Sequence, residues 1–441
     1  MTPGNRNRTS RFRILSRGGT VRFIFFAHRA RDAILTGEKL DMQVFPPDVS
    51  LRPAVIGLAR GIVFGTLLAA GFAATSVSAS PSQRIDVPMS AESFKVPIAP
   101  AGSPTSGPQF VEFMGRKAVY LPSGLMSVKG SKLRDGIIDI DIATKPDALF
   151  AGIAFRIESE GNLEMVYFRP GATDTIEAMQ YTPRLNGDAI WQLLNSSHEK
   201  ANAHFPRDQW FHTRLVVSGR TCTVFMNNSP DPTMSVTNLR RGDSEGDIGL
   251  WGLGGGAYFS NLSYTPLPAR AVLGELPPYE EAGLVSDWEL SPAFDAAEVD
   301  AASYPASIMQ WDKVRAEDPG FVLVNRYRAS PAMFPMPSRE DMRKGRVKGA
   351  KVVFARAHIT SPSAIDKFLK IGYSDDIVVY LNGKPVFSGK NALSYRSDDA
   401  LGVFGLNDQA PIHLNAGDNE LLVAVTEYNG GWAFECKVLP D

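Results

Sequence analysis

A cluster of aromatic and polar residues between positions 169 and 191 has the composition of a sugar-binding surface. Tyr181, Asn186, Asp188 and Trp191 lie within eleven positions, and Arg169 precedes them. A flat aromatic ring stacks against the apolar C–H face of a sugar, while amide, carboxylate and guanidinium groups hydrogen-bond its hydroxyls in fixed directions. Large aromatic residues also fill protein cores, so Tyr181 and Trp191 could equally cap a core. The sequence leaves both interpretations open.

Asp139 and Asp141 are the two acids whose spacing comes closest to hydrolytic chemistry. Glycoside hydrolysis uses a pair of carboxylates that flank the scissile bond. These two aspartates alternate with isoleucines, however, and acids in such a run are typical of the solvated face of a sheet. His212 lies in a similar alternating run, between Trp210 and Arg214. We therefore interpret all three residues as parts of a polar sheet face.

Metal and disulfide chemistry have little support in the sequence. Asp174, Asp188 and Asp243 are the acids that would hold calcium, but they form no spaced oxygen-ligand motif. We expect no cofactor, with calcium as the one open alternative. Cys222 and Cys436 are the only cysteines, and no zinc-type spacing surrounds them. Two separate, inert core thiols are the expected state.

The elements that must position these residues are short β-strands. Residues 136–144 place three isoleucines on one face and two aspartates on the other, which is the period-two pattern of a strand with one dry side. Six further β-rich runs are separated by Gly, Asn, Asp and Pro, namely 148–157, 163–169, 210–218, 221–227, 247–251 and 258–264. No helical period interrupts these runs, so the sequence predicts a β-sandwich.

The second half of the chain is predicted to be β-structure as well. Residues 371–387 indicate a hairpin, because Asn382 and Gly383 accept the positive φ values of a tight turn. A further turn and strand follow at 417–427. Residues 330–348 contain three prolines that would interrupt a strand, so we expect an irregular loop there.

Length and composition limit the classes of protein that fit. A chain of 441 residues exceeds one compact core, so two domains plus connecting segments are expected. Hydrophobic residues make up 44% and charged residues 21%, and the 39 Gly and 31 Pro are typical of a turn-rich globular chain. The formal net charge of −1 lacks the basic excess that binding to nucleic acid needs.

The N-terminal 80 residues are typical of a basic segment followed by an export signal. Eight arginines lie between Arg6 and Arg31, and Met42 offers a later start site. The apolar run 61–74 precedes Val77 and Ala79, a small-residue cleavage pattern. An uncleaved anchor is the alternative, but the run is shorter than the ~20 residues of a spanning helix. We expect cleavage and a periplasmic or extracellular location.

These patterns predict an all-β protein with two antiparallel β-sandwich (jelly-roll) domains joined by a Pro-rich linker. Residues 81–108 are rich in Pro and Ser and are expected to be a spacer. The first sandwich is assigned to residues 109–265 and the second to residues 283–441. The linker, 266–282, contains four prolines and is short enough for the domains to dock.

The first sandwich resembles the concanavalin A-like lectin/glucanase superfamily, including its laminin-G-like members. The resemblance covers about a third of the chain and rests on segments 152–156, 163–170, 180–183, 186–187, 191, 210–212, 246–251 and 258–262. It implies a jelly roll whose concave sheet or rim loops bind carbohydrate. Catalytic members carry a Glu-x-Asp-x-x-Glu strand, and this sequence has none. Keto-disaccharide lyase/hydratase domains share the Gly-Ile-x-Phe-Arg strand that is found here at 152–156.

Residues 350–439 resemble the galactose-binding-like jelly rolls that are appended to glycoside hydrolases. The resemblance rests on the order Asp, strand, Asn-Gly, strand and Gly-x-Asn-x-Leu. It implies sugar binding through loops at one end, where Asp375, Asp376 and Trp432 are the matching positions. Gly430 and Gly431 would let the backbone turn the indole of Trp432 outward, although the same ring could fill the core.

The sequence therefore predicts an exported carbohydrate-binding protein that recognises a glycan or polysaccharide through one or both sandwiches and catalyses nothing. Two alternatives stay open. One is a glycoside-active enzyme of the keto-disaccharide lyase/hydratase or glycoside hydrolase type. The other is a structural or adhesive envelope protein that binds protein partners. We expect neither a nucleic-acid partner nor a membrane span that persists after signal cleavage.

Overall fold

The computed structural model describes residues 83–95, 107–145, 148–242, 244–268, 279–305, 308, 310–329 and 337–440. These residues all belong to one compact unit. The predicted export signal, Met42 and most of the predicted linker lie outside the described residues, as does Asp243. Among the described residues, no helix is long and apolar enough to cross a membrane.

Sixteen strands build the first sandwich. In chain order they are β1 (Ile85–Asp86), β2 (Gln109–Phe113), β3 (Arg116–Leu121), β4 (Gly124–Ser127), β5 (Gly136–Thr144), β6 (Phe150–Ser159), β7 (Asn162–Phe168), β8 (Met179–Tyr181), β9 (Arg184–Leu185), β10 (Asp188–Ala189), β11 (Lys200–Ala201), β12 (Phe211–Ser218), β13 (Thr221–Met226), β14 (Met234–Val236), β15 (Asp247–Leu253) and β16 (Ala257–Pro266). The six β-rich runs predicted after residue 144 correspond to β6, β7, β12, β13, β15 and β16, with ends that differ by at most two residues.

Two antiparallel sheets of these strands face each other. Sheet 1 has the order β14-β13-β12-β5-β16-β3-β2, and β1 also pairs with β16. Sheet 2 has the order β10-β9-β7-β6-β15-β4, and β8 pairs with both β7 and β11. The isoleucines of β5 point inward from sheet 1 and meet inward residues of sheet 2, such as Ile153 and Val166, in one core. The period-two interpretation of residues 136–144 is confirmed.

Part of the predicted spacer packs against the first sandwich. β1 pairs with β16, and a 3₁₀ helix follows at Ala91–Ser93. Val87 and Phe94 are apolar and buried, and both belong to the core of the first sandwich. Residues 83–95 are therefore packed structure and not an open spacer, because they carry side chains that the core takes up.

Eleven strands and one α-helix build the second sandwich. They are β17 (Asp287–Leu290), β18 (Phe294–Asp295), β19 (Asp312–Arg315), β20 (Val322–Leu323), α1 (Arg339–Lys344), β21 (Lys351–Ser361), β22 (Ile365–Ser374), β23 (Asp376–Leu381), β24 (Lys384–Lys390), β25 (Asp408–Leu414), β26 (Gly417–Glu427) and β27 (Ala433–Val438). Two further 3₁₀ helices span Pro170–Ala172 and Val324–Arg326. The described part of the protein is all-β apart from these short helices, as predicted.

The second sandwich also consists of two antiparallel sheets around a core. Sheet 3 has the order β19-β17-β21-β26-β23-β24, with β18 on β21, and sheet 4 has the order β20-β27-β22-β25. The core between them contains Trp288, Val379, Val425 and Trp432. Cys222 and Cys436 are free and buried in the cores of the two sandwiches, which confirms the prediction of two separate core thiols.

Of the two local predictions for the second sandwich, the hairpin is confirmed and the irregular loop is partly wrong. β23 and β24 form the expected hairpin, and Asn382 and Gly383 have φ values of 50° and 74° at its turn. The segment that was expected to be an irregular loop contains α1. Ser338 caps this helix by accepting a hydrogen bond from the Asp341 amide at 3.0 Å, and Gly345 ends it in the left-handed conformation.

The two sandwiches are in direct contact. The side-chain amide of Asn186 donates to the carbonyls of Asn325 and Arg326, at 2.8 and 3.1 Å. The backbone N–H of Gln192 donates to the Gly430 carbonyl at 2.9 Å. Phe321, Leu323 and Ala433 of the second sandwich also pack into the core of the first. Hydrogen bonds and buried apolar contacts thus fix the seam between the sandwiches, and the pocket described next lies along it.

Candidate functional site

The outer face of sheet 2 carries a row of residues that do not enter the core. Because side chains alternate along a strand, Ile153 and Val166 point into the sandwich while their neighbours Gly152 and Tyr167 point out. The strand register places Trp251 beside Gly152 and Gly152 beside Tyr167. Three neighbouring strands, β15, β6 and β7, thereby bring two large aromatic residues to one face of the sheet with a glycine between them. Tyr167 and Trp251 pack there in a small apolar cluster and are only 4% and 5% exposed.

Gly152 makes room for the indole of Trp251. A Cβ atom at this position would lie 3.1 Å from Cε3 of Trp251 and 3.3 Å from the Val166 carbonyl oxygen. Either contact is tighter than ordinary van der Waals packing, so a larger residue would force the indole or the neighbouring strand to shift. The glycine of the Gly-Ile-x-Phe-Arg strand therefore shapes this surface.

Phe150, Tyr167 and Trp251 form the floor of a cavity. The centroid of the Phe150 ring lies 5.3 Å from that of Tyr167 and 5.9 Å from that of Trp251. The centroids of the Tyr167 and Trp251 rings are 6.3 Å apart. The guanidinium of Arg169 lies 5.3 Å from the Phe150 centroid. The cavity has a volume of about 260 Å³. Flat rings beside a cation are a surface that suits a sugar ring.

Residues from both sandwiches line this cavity. The first sandwich contributes Phe150, Met165, Tyr167, Arg169, Thr182, Arg184, Ala189, Trp191, Trp251 and Leu253. The second contributes Arg339, Leu393, Leu401 and Asn429. The second sandwich thus supplies one wall of the pocket, and we call the whole cavity the seam pocket.

A hydrogen-bond network holds one side of the seam pocket in place. The Tyr167 hydroxyl pairs with the side chain of Gln180, whose Nε2 donates to the carbonyls of Trp191 and Leu194 at 2.8 and 2.7 Å. Arg169 donates to the Tyr167 hydroxyl at 3.3 Å. Burial raises the pKa of Tyr167 to about 12, so its phenol is neutral near pH 7. The network orients Tyr167 and ties the loop at Trp191 to the sheet.

Three buried polar atoms around the pocket have no hydrogen-bond partner among the described residues. They are Nε of Arg169, Nε of Arg184 and the hydroxyl of Thr182. Thr182 and Arg184 are only 1% and 4% exposed. A buried donor without a partner costs free energy, so such atoms are normally satisfied by another group. These atoms are candidates for direct contact with a bound molecule.

Of the binding residues predicted from sequence, Arg169 and Trp191 line the seam pocket. Tyr181 does not, because it is fully buried and belongs to the core. Its hydroxyl donates to Glu164 at 2.6 Å and accepts from the Arg240 amide at 2.8 Å. Asn186 lies at a turn with φ of 47° and links the two sandwiches. Tyr181 therefore presents no face for stacking.

Trp432 is also an interior residue, which corrects the outward orientation that the two preceding glycines suggested. Its side chain is 0% exposed and lies in the core of the second sandwich, where Nε1 donates to the Val425 carbonyl at 3.2 Å. Gly430 and Gly431 have φ of 103° and 123°. The turn that they make directs the indole inward, because the largest apolar side chain available fills the space between sheets 3 and 4.

Asp188 and Asp375 are brought together with Glu427 at the seam, and we call these three residues the acid cluster. All three are buried. Asp188 accepts from the Gly430 amide at 3.1 Å, Asp375 from the Tyr428 amide at 2.7 Å, and Glu427 from the Gly431 amide at 3.1 Å. Burial raises the pKa of Asp188 to about 6 and of Asp375 to about 8, and holds that of Glu427 well above its usual value. The cluster belongs to the interior and not to a binding surface.

Asp376 lies beside the acid cluster but on a different surface. It accepts a hydrogen bond from the Tyr428 hydroxyl at 2.8 Å and lies 3.5 Å from Nζ of Lys390. It lines a second cavity of about 570 Å³ on the second sandwich, away from the aromatic floor of the seam pocket. Asp375 and Asp376 thus point to different places although they are adjacent in sequence.

The aspartates of β5 belong to an ion-pair network on the outer face of sheet 1. His212 lies 2.8 Å from Asp141 and 3.1 Å from Asp139, and Arg214 donates to Asp139 at 2.7 Å. Hydrogen bonds with Asp139 and Asp141 raise the pKa of His212 to about 9. The two acids are each paired with cations on a polar sheet face, but this face is less solvated than the alternation predicts, since Asp139 is only 6% exposed. Both ring nitrogens of His212 are engaged, which leaves neither free to act as a base.

The two candidate calcium ligands that the structure describes, Asp174 and Asp188, have different partners. Asp174 pairs with His204 at 3.0 Å, Asp188 lies in the acid cluster, and Asp243 is outside the described residues. Within the part of the chain that the structure describes, no three His, Cys, Asp or Glu side chains are arranged to hold a metal ion.

Sequence reasoning did not select the floor of the seam pocket. Phe150, Tyr167 and Trp251 were assigned to strands but not to a binding surface, and Arg184 and Thr182 were not singled out. A period-two signal was available, because Tyr167 alternates with Phe168 and Trp251 with Leu250. That signal separates two faces without saying which one is buried.

Comparisons with known sequences identify a similarity in the first sandwich. Residues 120–265, which are 146 of the 441 residues, match a family described as a 3-keto-alpha-glucoside-1,2-lyase-like domain. The matched segment includes every residue that the first sandwich contributes to the seam pocket. A comparison with curated proteins finds no significant match.

Several solved structures are similar to parts of the chain at low identity. A carbohydrate-binding module from Bacillus subtilis is 14% identical, with 36% of this chain and 92% of that chain covered and a TM-score of 0.29. Domain 4 of an extracellular arabinanase from Geobacillus stearothermophilus is 12% identical (39% and 82% covered, TM-score 0.27). A galectin from Caenorhabditis elegans is 8% identical (40% and 99% covered, TM-score 0.25). At these TM-scores the similarities carry no argument about ligand or activity. What the comparisons establish is that a third of this chain, the first sandwich, is similar to the 3-keto-alpha-glucoside-1,2-lyase-like domain.

Proposed function

We propose that the protein binds a glycan in the seam pocket. The observation that carries this proposal is the aromatic floor of Phe150, Tyr167 and Trp251 next to buried donors that lack a partner among the described residues. Stacking on the floor would bury the apolar face of a sugar, while the donors on the wall would bind its oxygens. The similarity of the first sandwich to a glucoside-directed family supports the same class of ligand.

The second sandwich would act as part of the binding site. Arg339 and Leu401 line the pocket, and Asn429 follows directly on the segment that carries Glu427 and Tyr428. A pocket with walls from two domains encloses more of a ligand than an open sheet does, and ligand sites occur preferentially at such seams. On this proposal the two sandwiches work as one binding unit.

Removing the indole of Trp251 should weaken glycan binding. We expect Trp251→Ala to cost about 1–3 kcal/mol of binding free energy, the usual cost of losing an aromatic anchor. The experiment is a glycan array followed by calorimetric titration of the strongest hit. Trp251→Leu serves as a second variant, because it keeps apolar bulk in the pocket but removes the flat ring.

Trp311→Ala is the matched control, since Trp311 lies on the second sandwich outside the seam pocket. It should bind the same glycan with unchanged affinity. Wild-type affinity in both Trp251 variants, with the fold intact by circular dichroism, would contradict the proposed site.

A lyase that acts on a keto-sugar is the second candidate function. The description of the matching family favours it. Such a reaction needs a base to remove a proton next to a carbonyl group. Glu177 is an acid beside the pocket, and it would have to leave its ion pairs with Arg169 and Lys200, at 3.2 and 2.7 Å, to serve as that base. Incubation with a 3-keto-disaccharide and detection of an unsaturated sugar product would distinguish a lyase from a binding protein. Loss of product in Glu177→Gln would support the enzyme.

We also propose that the protein is exported. The motivating pattern is the apolar run 61–74 followed by Val77 and Ala79, which lies outside the described residues. The mature chain should then begin near Ser80. Mass spectrometry of the envelope and secreted fractions measures this directly. An intact membrane-bound chain that begins at Met1 or Met42 would contradict cleavage.

A further inference from the structure

The charge of the seam pocket is unbalanced. Three arginines line it, Arg169, Arg184 and Arg339, whereas no Asp or Glu is among the lining residues that the structure describes. A neutral sugar needs hydrogen-bond donors and acceptors in similar numbers, because each hydroxyl both donates and accepts. Guanidinium groups can only donate. This lining therefore suits a ligand that mainly accepts.

Arg184 is the most unusual of the three. It is 4% exposed, and its Nη1 donates to the Glu160 carbonyl at 3.1 Å. The Glu160 carboxylate lies 3.9 Å from Nη1, at the limit of an ion pair, and Nε has no partner among the described residues. Keeping a cation buried with so few partners is costly unless a negative group joins it. Burial lowers the pKa of Arg184, which reflects the same cost.

The acids around the pocket do not neutralise its arginines. Glu177 contacts Arg169 at 3.2 Å but also Lys200 at 2.7 Å, so one carboxylate serves two cations. Asp188 acts electrostatically on Arg184, yet both of its oxygens accept backbone amides, from Ala189 and Gly430. Arg339 bonds a backbone carbonyl, that of Asp398, at 3.2 Å. The pocket lining itself therefore presents cationic donors without acidic side chains among the described residues, and Glu177 and Asp188 beside it are also engaged by other groups.

We propose that the glycan bound in the seam pocket is anionic, with a carboxylate or sulfate group that accepts from Arg184 and Arg169. This proposal rests on the proposed function, and it specifies the class of saccharide. A carboxylate or a sulfate offers several acceptor oxygens to the free Nε atoms of these two arginines and to the Thr182 hydroxyl. The sugar ring that bears the anion would stack on Trp251 and Tyr167.

The test compares each acidic oligosaccharide with its own neutral form. The probes are oligogalacturonate and oligoguluronate, each paired with its carboxyl-reduced derivative, and a sulfated galactan oligosaccharide paired with its desulfated form. Binding is followed by the fluorescence of Trp191 and Trp251 at low and high salt. We expect at least one acidic form to bind 10- to 100-fold more tightly than its neutral partner, the value of a charge-assisted hydrogen bond, and to weaken with salt. The pair that shows the preference identifies carboxylate or sulfate.

Arg184→Gln and Arg169→Gln are the diagnostic variants. The side chain of Arg169 is 23% exposed, so its replacement tests the proposal even if the buried Arg184 variant does not fold. Each should lose at least 5-fold of the preference for the acidic form, whereas Arg214→Gln, on the outer face of sheet 1, should keep it. Equal binding of the acidic and neutral forms, abolished by Trp251→Leu, would overturn the anionic ligand and leave the glycan site standing. Binding of no oligosaccharide in either form would overturn both proposals.

Discussion

Replacing Arg156 with alanine should lower the free energy of unfolding by about 3–5 kcal/mol, the cost of removing one partner from a buried ion pair. Arg156 is 0% exposed and pairs with Asp135 at 3.3 Å. It also donates to the carbonyls of Arg134 and Gly219, at 2.8 and 2.7 Å, and to that of Gly242. One side chain therefore joins segments that are far apart in sequence.

The position of Arg156 explains why the side chain reaches them. The register between β6 and β15 shifts near this residue, and Arg156 has φ of 50°. Such an irregularity re-aims a side chain that regular alternation would place elsewhere. The arginine of the Gly-Ile-x-Phe-Arg strand thus has a structural role in this chain, whereas its glycine shapes the seam pocket.

Urea denaturation measures the effect of Arg156→Ala. Arg315→Ala is the matched control, because Arg315 is 50% exposed and its ion pair with Asp287 at 2.8 Å should contribute at most about 1 kcal/mol. If both variants lose the same small amount of stability, the hydrogen bonds of Arg156 do not stabilise the contact between the segments that it joins.

The second large expected effect is a loss of stability as the pH rises above about 4.5, caused by the acid cluster. The pKa of each of Asp188, Asp375 and Glu427 is raised by burial, so the folded state keeps protons that the unfolded state has already released. The stabilisation is fully present below the unfolded pKa values, near 4, and is lost as the pH rises through the folded values. Each group that is protonated only in the folded state contributes a slope of about 1.4 kcal/mol per pH unit.

Glu427→Gln should flatten this dependence, because an amide cannot ionise. The free energy of unfolding is measured from pH 5 to pH 9 for wild type, Glu427→Gln and the control Asp398→Asn, whose side chain is 88% exposed. We expect the Gln variant to gain relative to wild type as the pH rises and the control to follow wild type. Parallel curves for all three proteins would show that the cluster does not hold extra protons.

His212 contributes a pH dependence of the same sign in a narrower range. Its pKa is raised to about 9 by Asp139 and Asp141, so its stabilisation is present below pH 6.5 and is lost as the pH rises through 9. His212→Gln should therefore leave the slope between pH 5 and 6 unchanged. This range separates the acid cluster from the surface histidine.

The faces of individual strands were only partly predictable. In β5 the alternation of Ile with Asp is enough to say which side is buried, because one set of side chains is apolar and the other charged. In β7 the set of Tyr167 is wholly apolar, whereas the set of Phe168 also contains Asn162 and Glu164, so the pattern does not assign Phe168 to the core. The structure places Phe168 inside and Tyr167 at the floor of the seam pocket. Tyr181 was selected from sequence for its ring and its neighbours. It lies inside because it pairs with Val166, and both side chains point into the core.

The sequence by itself determined the all-β class, most strand positions in the first sandwich and the hairpin at Asn382 and Gly383, because alternation and turn chemistry act between neighbours in the chain. Only the tertiary structure decided the site. Trp251, Arg184 and Arg339 meet because strand register and the docking of two sandwiches place them around one cavity. The acid cluster likewise joins residues 188, 375 and 427. Contacts at such separations depend on the packing of whole sheets, which no local pattern encodes.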